Sequence, residues 1–225
     1  MQLIDTSRFE RSADVPVLAD DEIHLWLLHA PAPLSSRALA PLAHAHLGQL
    51  LQGYAGVPVA PAIARGEHGK PYVVDPGFPQ FNLSHAGACV ALVFAHGQAV
   101  GVDIESVQRR RSSLELARRF FAVEEAQALG ALDPALRDAA FVRLWTCKEA
   151  VLKALGRGLA FGLDRLRFGL DAAAMPTALE SIGSDGGRID DWQMLRFEPD
   201  AAHVGALAWA GANRRIRAFR GSLAG

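Results

Sequence analysis

Short apolar runs and longer stretches of helical periodicity succeed one another along the chain. Runs at Ile23–Leu28 (IHLWLL), Lys70–Val74 (KPYVV), Cys89–Ala95 (CVALVFA) and Val100–Glu105 (VGVDIE) predict strands, the last three separated by turn-forming Pro, Gly and Asn. Between the first two, Leu39, Leu42, Leu47, Leu50 and Leu51 recur near the helical period until Gly53 and Gly56 end the pattern. FNLSHAG (Phe81–Gly87) is rich in residues that favour a turn. From Leu114 onward, LELARRFF, VEEAQALGAL and LRDAAFVRLWTCKEAVLKALG predict consecutive helices, with Gly156 and Gly158 as the stop. Strands return at Leu166–Leu170, Trp192–Phe197 and His203–Ala210, with a glycine-marked turn at Gly183, Gly186 and Gly187. This order predicts an α+β fold of two similar halves meeting near Val102–Val107. CVALVFA and HVGALAWA, each late in its half, are a local echo of the kind duplication leaves.

Composition narrows the setting. The chain has 225 residues, 50% of them hydrophobic, enough for one large core or two smaller ones. Cys89 and Cys147 lie in apolar runs without CxxC spacing, which suggests buried packing residues, neither a zinc site nor a disulfide framework, and a reducing cytosol. The first residues lack a signal-like apolar segment, and no run is long enough to span a membrane, so a cytoplasmic protein is expected. A formal net charge of -1 gives no global attraction to nucleic acid, so any anionic partner must be met by a local patch.

Three places carry candidate chemistry. In GVDIE, strand alternation puts Asp103 and Glu105 on one face, opposite Val102 and Ile104. Two carboxylates so placed suit Mg²⁺, which takes hard oxygen ligands and shares them with phosphate, although a wet face on an edge strand would look the same. In LWTCKEAVLKALG, Glu149 and Lys153 are four apart on one helix face with Lys148 alongside, which is also the spacing of an ordinary solvated ion pair. Ser84 and His85 sit side by side in the expected turn, where a hydroxyl, an imidazole and backbone N–H groups could meet an anion, and Lys70 flanks a Gly–Pro turn upstream. A serine hydrolase is disfavoured, because no GxSxG elbow exists to expose the nucleophile. His44 and His46, two apart on a helix, diverge too far to share a metal.

Taken together, GKPY (Gly69–Tyr72), FNLSHAG, GVDIE, RFFAVEE (Arg119–Glu125) and FVRLWTCKEAVLKALGRGL (Phe141–Leu159) resemble, in order and spacing, the 4′-phosphopantetheinyl transferases of the surfactin-synthetase-activating (Sfp) type. The resemblance implies two pseudo-symmetric α/β halves, here 1–105 and 106–225, forming one transferase unit with the active site in the cleft between them. It implies transfer of 4′-phosphopantetheine from coenzyme A to a serine of an acyl or peptidyl carrier protein, with Mg²⁺ as cofactor and 3′,5′-ADP released. By matching position, Asp103, Glu105 and Glu149 are the expected metal ligands, with Glu149 also the general base. Lys148 and Lys153 are expected at the pyrophosphate, and Lys70, Ser84 and His85 at the coenzyme A phosphates. A chain holding both halves needs no second subunit to complete the site, so a monomer is expected, with neither nucleic acid nor membrane as partner.

The resemblance also implies a docking surface at the start of the second half. QRRR (Gln108–Arg111) and ARRFF (Ala117–Phe121) offer positive charge for an acidic carrier helix, with Phe120 or Phe121 either an anchor or core. Two departures stand out. The segment LSSRALAPLAHAHLGQLL has Arg37 as its one arginine where the family carries a basic helix that helps hold the coenzyme A 3′-phosphate, so either another cation such as Arg65 substitutes, or the 3′-phosphate is held more weakly, or part of the cleft is open. Ala122 stands where a capping Ser or Thr would precede Glu125. A family member that had lost coenzyme A affinity and only docks carriers, or binds coenzyme A without turnover, is the alternative.

Overall fold

The computed structural model describes residues 1–32, 34–108 and 112–223. In chain order its strands are β1 (Gln2–Ile4), β2 (Glu10–Arg11), β3 (Glu22–His29), β4 (Ile63–Arg65), β5 (Pro71–Val73), β6 (Gln80–Ala86), β7 (Cys89–Ala95), β8 (Val100–Ser106), β9 (Leu166–Leu170), β10 (Pro176–Ile182), β11 (Trp192–Asp200), β12 (His203–Ala210) and β13 (Arg215–Ser222). The α-helices are α1 (Ser36–Ala55), α2 (Ser113–Phe120), α3 (Val123–Ala131) and α4 (Pro134–Leu155). The fold is therefore mixed α+β, as the element pattern predicts.

Two sheets face one another. One is five-stranded in the order β2-β13-β3-β7-β6, the other four-stranded in the order β1-β11-β12-β8, and the hairpins β4-β5 and β9-β10 stand apart. The chain ends are exchanged: β1 pairs with β11, while β13 runs parallel to β3 in the other sheet. Alternate residues of each sheet's inner strands fill the space between them, among them Ile23, Leu25, Leu27, Ala91, Val93, Val102, Ile104, Leu207 and Trp209. On the outer face of the first sheet, Trp26, Leu28, Leu92 and Phe94 pack against Leu39, Leu47 and Leu51 of α1. On the outer face of the second, Ala206 and Ala208 meet Phe141, Leu144 and Val151 of α4. The four layers run helix, sheet, sheet, helix. CVALVFA reads as unbroken hydrophobicity because β7 is covered on both faces, all seven residues being buried.

The expected turn at FNLSHAG is a strand. β6 extends through Ser84 and His85 as the edge of the five-stranded sheet, and only Gly87 turns the chain into β7. Its polar residues serve a purpose that a turn would not: Asn82 Oδ1 accepts from the N–H of Val102 at 3.0 Å, and Ser84 Oγ accepts from the N–H of Ile104 at 3.3 Å. These side chains satisfy backbone donors on the free edge of β8 and join the two sheets without a ladder. Strands β1 and β13 escape the hydrophobic pattern because they are short or arginine-studded.

Candidate active site

Strand β8 and helix α4 make the site by lying against each other closely. A Cβ on Gly101 would stand 2.1 Å from the carbonyl oxygen of Ala150 and 2.3 Å from the nitrogen of Ala154, so only glycine allows this approach. Two residues on, Asp103 projects toward α4, on the face where helical spacing presents Glu149 and Lys153. The face expected to be wet is dry: Asp103 is 5% exposed.

Asp103 is held from two sides and left open on a third. Its Oδ1 accepts from Ser84 Oγ at 2.8 Å and from Lys153 Nζ at 2.7 Å. Its Oδ2 is buried and has no hydrogen-bond partner. An ionised oxygen in that position lacks compensation. Beside it, burial pushes the Glu149 carboxyl up to about 7, the Asp103 charge adds to the effect, Lys153 offsets part of it, and Glu105 raises it further. A cation among these acids would relieve both conditions, so the donor set fits Mg²⁺. Among the described residues, the oxygens of Asp103, Glu105 and Glu149 do not all lie within 4.8 Å of one another. Mg²⁺ tolerates this, because it takes only one or two protein carboxylates and keeps water and phosphate oxygens as the rest.

Glu149 and Lys153 also line a cavity of about 320 Å³ with Lys70, Asn82, Gly156 and Gly158. Lys70 reaches it from the turn before β5. Its Nζ donates to the carbonyls of Val100 at 3.0 Å and Ala154 at 3.1 Å, and burial lowers it to about 8. Two of its three hydrogens are thus spent on β8 and α4, and one remains for a ligand. His85, on the opposite face of β6 from Ser84, is half-buried with Nδ1 unpartnered; burial, then the Lys153 and His44 charges, push it below the usual imidazole range. His44 is exposed and bonds its own helix at Ala40, while His46 is half-buried.

Two expectations need correction. Lys148 does not reach this cavity. One residue along a helix is a rotation of about 100°, which turns Lys148 away from Glu149 into the protein. It is 0% exposed; its Nζ pairs with Glu125 Oε2 at 2.6 Å and donates to the carbonyls of Leu163, at 2.9 Å, and Leu166. Glu125 in turn accepts from the N–H of Phe168 at 2.8 Å and of Ala122 at 3.0 Å, so half a capping box survives without a capping hydroxyl. The signal for this pair, a second acid after RFFAV, was in the sequence but looked like cap chemistry alone. Ser84 is likewise engaged within the protein: 8% exposed, its hydroxyl gives its hydrogen to Asp103 and accepts from Ile104.

Of the two phenylalanines that end α2, Phe121 is core, stacked on Phe141 at 5.1 Å, whereas Phe120 is half-buried under the Arg119 guanidinium at 4.9 Å. Arg118 and Arg119 are exposed, and Arg109, Arg110 and Arg111 lie outside the described residues. Arg65 is exposed, with Nη1 on the carbonyl of Gly69 at 3.0 Å. No described helix is long and apolar enough to cross a membrane.

Residues 99–188, which include β8, α4 and the lysine pair, match the 4′-phosphopantetheinyl transferase superfamily. The chain is 30% identical over 223 residues to the 4′-phosphopantetheinyl transferase HetI of Nostoc sp., an alignment covering 86% of this chain and 90% of HetI. It is 39% identical over 103 residues to a putative 4′-phosphopantetheinyl transferase of Synechocystis sp., and 40% identical over 98 residues to Sfp of Bacillus subtilis. Those two alignments each span 42% of the relative's length. With near end-to-end similarity to HetI and a matching segment that holds the whole β8–α4 site, the chain belongs to the 4′-phosphopantetheinyl transferase superfamily.

Proposed function

We propose that the protein transfers the 4′-phosphopantetheine group of coenzyme A to a serine hydroxyl of an acyl or peptidyl carrier protein, in a Mg²⁺-dependent reaction that releases 3′,5′-ADP. The halves 1–105 and 106–225 act as one unit. The observation that carries this reading is the buried, unpartnered Oδ2 of Asp103 on the strand packed against the helix whose Glu149 and Lys153 line a cavity of about 320 Å³.

Asp103, Glu105 and Glu149 would hold the metal, which when bound neutralises charge on the phosphate oxygens. Ser84 orients Asp103 through Oδ1, so that Oδ2 is the oxygen left to ligate. Lys153 answers the charge that grows on the leaving phosphate. Lys70 uses its remaining hydrogen, and His85 its half-buried ring, toward the coenzyme A phosphates. Glu149 takes the proton of the carrier serine as its oxygen attacks the β-phosphorus and the bond to 3′,5′-ADP breaks. Exposed Arg118 and Arg119, with Phe120 beneath, present the carrier an electropositive edge. The protein acts as a monomer in the cytoplasm, and its acceptor belongs to fatty acid, polyketide or nonribosomal peptide assembly.

Incubation of the protein with coenzyme A, Mg²⁺ and an apo carrier protein tests the reading. One phosphopantetheine of added mass on the carrier is expected. No added mass across several carriers, with no calorimetric heat for coenzyme A, would remove it.

A further inference from the structure

Four side chains that the transfer reaction does not use converge where the two sheets meet. His29 ends β3, Cys89 opens β7, Asp200 ends β11 and His203 opens β12. The first two belong to the five-stranded sheet and the last two to the four-stranded sheet, so the cluster bridges them. His29 Nε2 or Nδ1, Cys89 Sγ and an Asp200 carboxylate oxygen all lie within 4.8 Å of one another. The closest approaches are Sγ to Oδ2 at 3.6 Å and His29 Nε2 to Oδ2 at 3.9 Å. Around a tetrahedral zinc with bonds of about 2.0–2.3 Å, neighbouring ligand atoms stand about 3.3–3.8 Å apart, so the side chains need move only slightly.

His203 completes the arrangement from behind. Its Nδ1 lies 2.9 Å from Asp200 Oδ1 and 3.0 Å from Oδ2, so it holds the carboxylate through both oxygens. A ligating carboxylate is commonly oriented by such a bond. The other ring nitrogen is closed off by the β6–β7 turn, where a Cβ on Gly87 would stand 2.6 Å from Nε2. A Cys-His-Asp nucleophile is excluded by the same geometry. Cys89 and Asp200 both approach Nδ1 of His203, at 3.6 and 2.9 Å, whereas a relay needs the two different ring nitrogens. Cys89 is also fully buried, out of reach of a substrate.

We propose that His29, Cys89 and Asp200 form a second metal site, distinct from the Asp103 carboxylates, that takes a divalent transition metal of the zinc class and clamps the two sheets together. The donor set is the reason for the class: one thiolate, one imidazole and one carboxylate favour zinc over magnesium, which prefers oxygen alone. On binding, the sulfur–metal bond forms as the thiol proton leaves to solvent. His29 and Asp200, with side chains 42% and 40% exposed, provide the way in, and the fourth position is open to water. The sequence hides this site, because its ligands come from three separate strand ends with no CxxC spacing.

Titration of the chelator-treated full chain with Co²⁺ tests it. Thiolate–cobalt absorption should saturate at one equivalent, be displaced by Zn²⁺, and vanish in Cys89→Ser. His29→Gln and Asp200→Asn, at half-exposed positions that do not threaten folding, should each weaken cobalt binding tenfold or more. Asp103→Asn should leave the absorption unchanged, which separates this site from the magnesium site. Absence of thiolate absorption at one equivalent, its persistence in Cys89→Ser, or indifference to both His29→Gln and Asp200→Asn would overturn the proposal. If Cys89→Ser fails to fold, the other two variants decide.

Discussion

Helix α4 sends a lysine to a carboxylate on each of two sides, and the two pairs are built to opposite ends. Lys148 and Glu125 are both sealed from solvent, and every hydrogen-bonding group between them is used: the ammonium by Glu125 and two carbonyls, the carboxylate by the lysine and two backbone N–H groups. Burial lowers Lys148 and the Glu125 charge pulls it back. Lys153 and Asp103 make an equally short contact, but Lys153 keeps 26% exposure, one aspartate oxygen is left with no partner, and Glu149 beside them is held near neutrality. A pair that satisfies itself locks structure. A pair left incomplete in a buried place awaits something that completes it.

Breaking the satisfied pair should cost the most stability. Lys148→Met strands the Glu125 charge and should destabilise the fold by about 3–5 kcal/mol, read by denaturant unfolding, while folded molecules retain their turnover per site. Equal stability would mean that the pair is not sealed as described. Gly101→Ala attacks the frame that both sides share. Prising β8 from α4 should cost about 1–3 kcal/mol and also reduce transfer, because Asp103 and Glu149 no longer register.

On the incomplete side the sign reverses. Glu149 binds its proton more tightly folded than unfolded, so between pH 4.5 and about 7 the folded state holds more protons, and stability of the metal-free protein falls as pH rises across that window. Glu149→Gln should remove this slope and stabilise the metal-free protein at pH 7.5 by about 2 kcal/mol, measured by unfolding at several pH values in chelator. The smallest effect belongs to Ser84→Ala. Loss of one neutral donor to Asp103 should cost about 1 kcal/mol of stability yet weaken Mg²⁺ activation by about tenfold, with turnover recovering at saturating Mg²⁺.

Much of this was legible in the chain, for reasons that differ by residue. Asp103 and Glu149 could be paired because strand and helix periodicity each fix a face, and GVDIE carried its own packing signal in Gly101. Lys148 is expected at the pyrophosphate from its position in the motif, but one residue along a helix turns it to the other side, where it pairs with Glu125. Ser84 and His85 read as a turn because Asn, Ser and Gly usually mark one; the polar side chains instead stitch two strand edges together, a tertiary demand with no local pattern. The partner of β3 was hidden for the same reason, since β13 mixes arginine with apolar residues and pairs with a strand almost 200 residues earlier in the chain.

The central claim is that Asp103 and Glu149 hold the magnesium that transfer requires. Intact-mass measurement of an apo carrier protein after incubation with coenzyme A and each of wild type, Asp103→Ala and Glu149→Gln, with Mg²⁺ or with chelator, tests it most directly. The account predicts phosphopantetheine addition by wild type in Mg²⁺ alone, and none by either variant although both remain folded. Wild-type-like modification by a folded Asp103→Ala or Glu149→Gln, or by wild type in chelator, would contradict it.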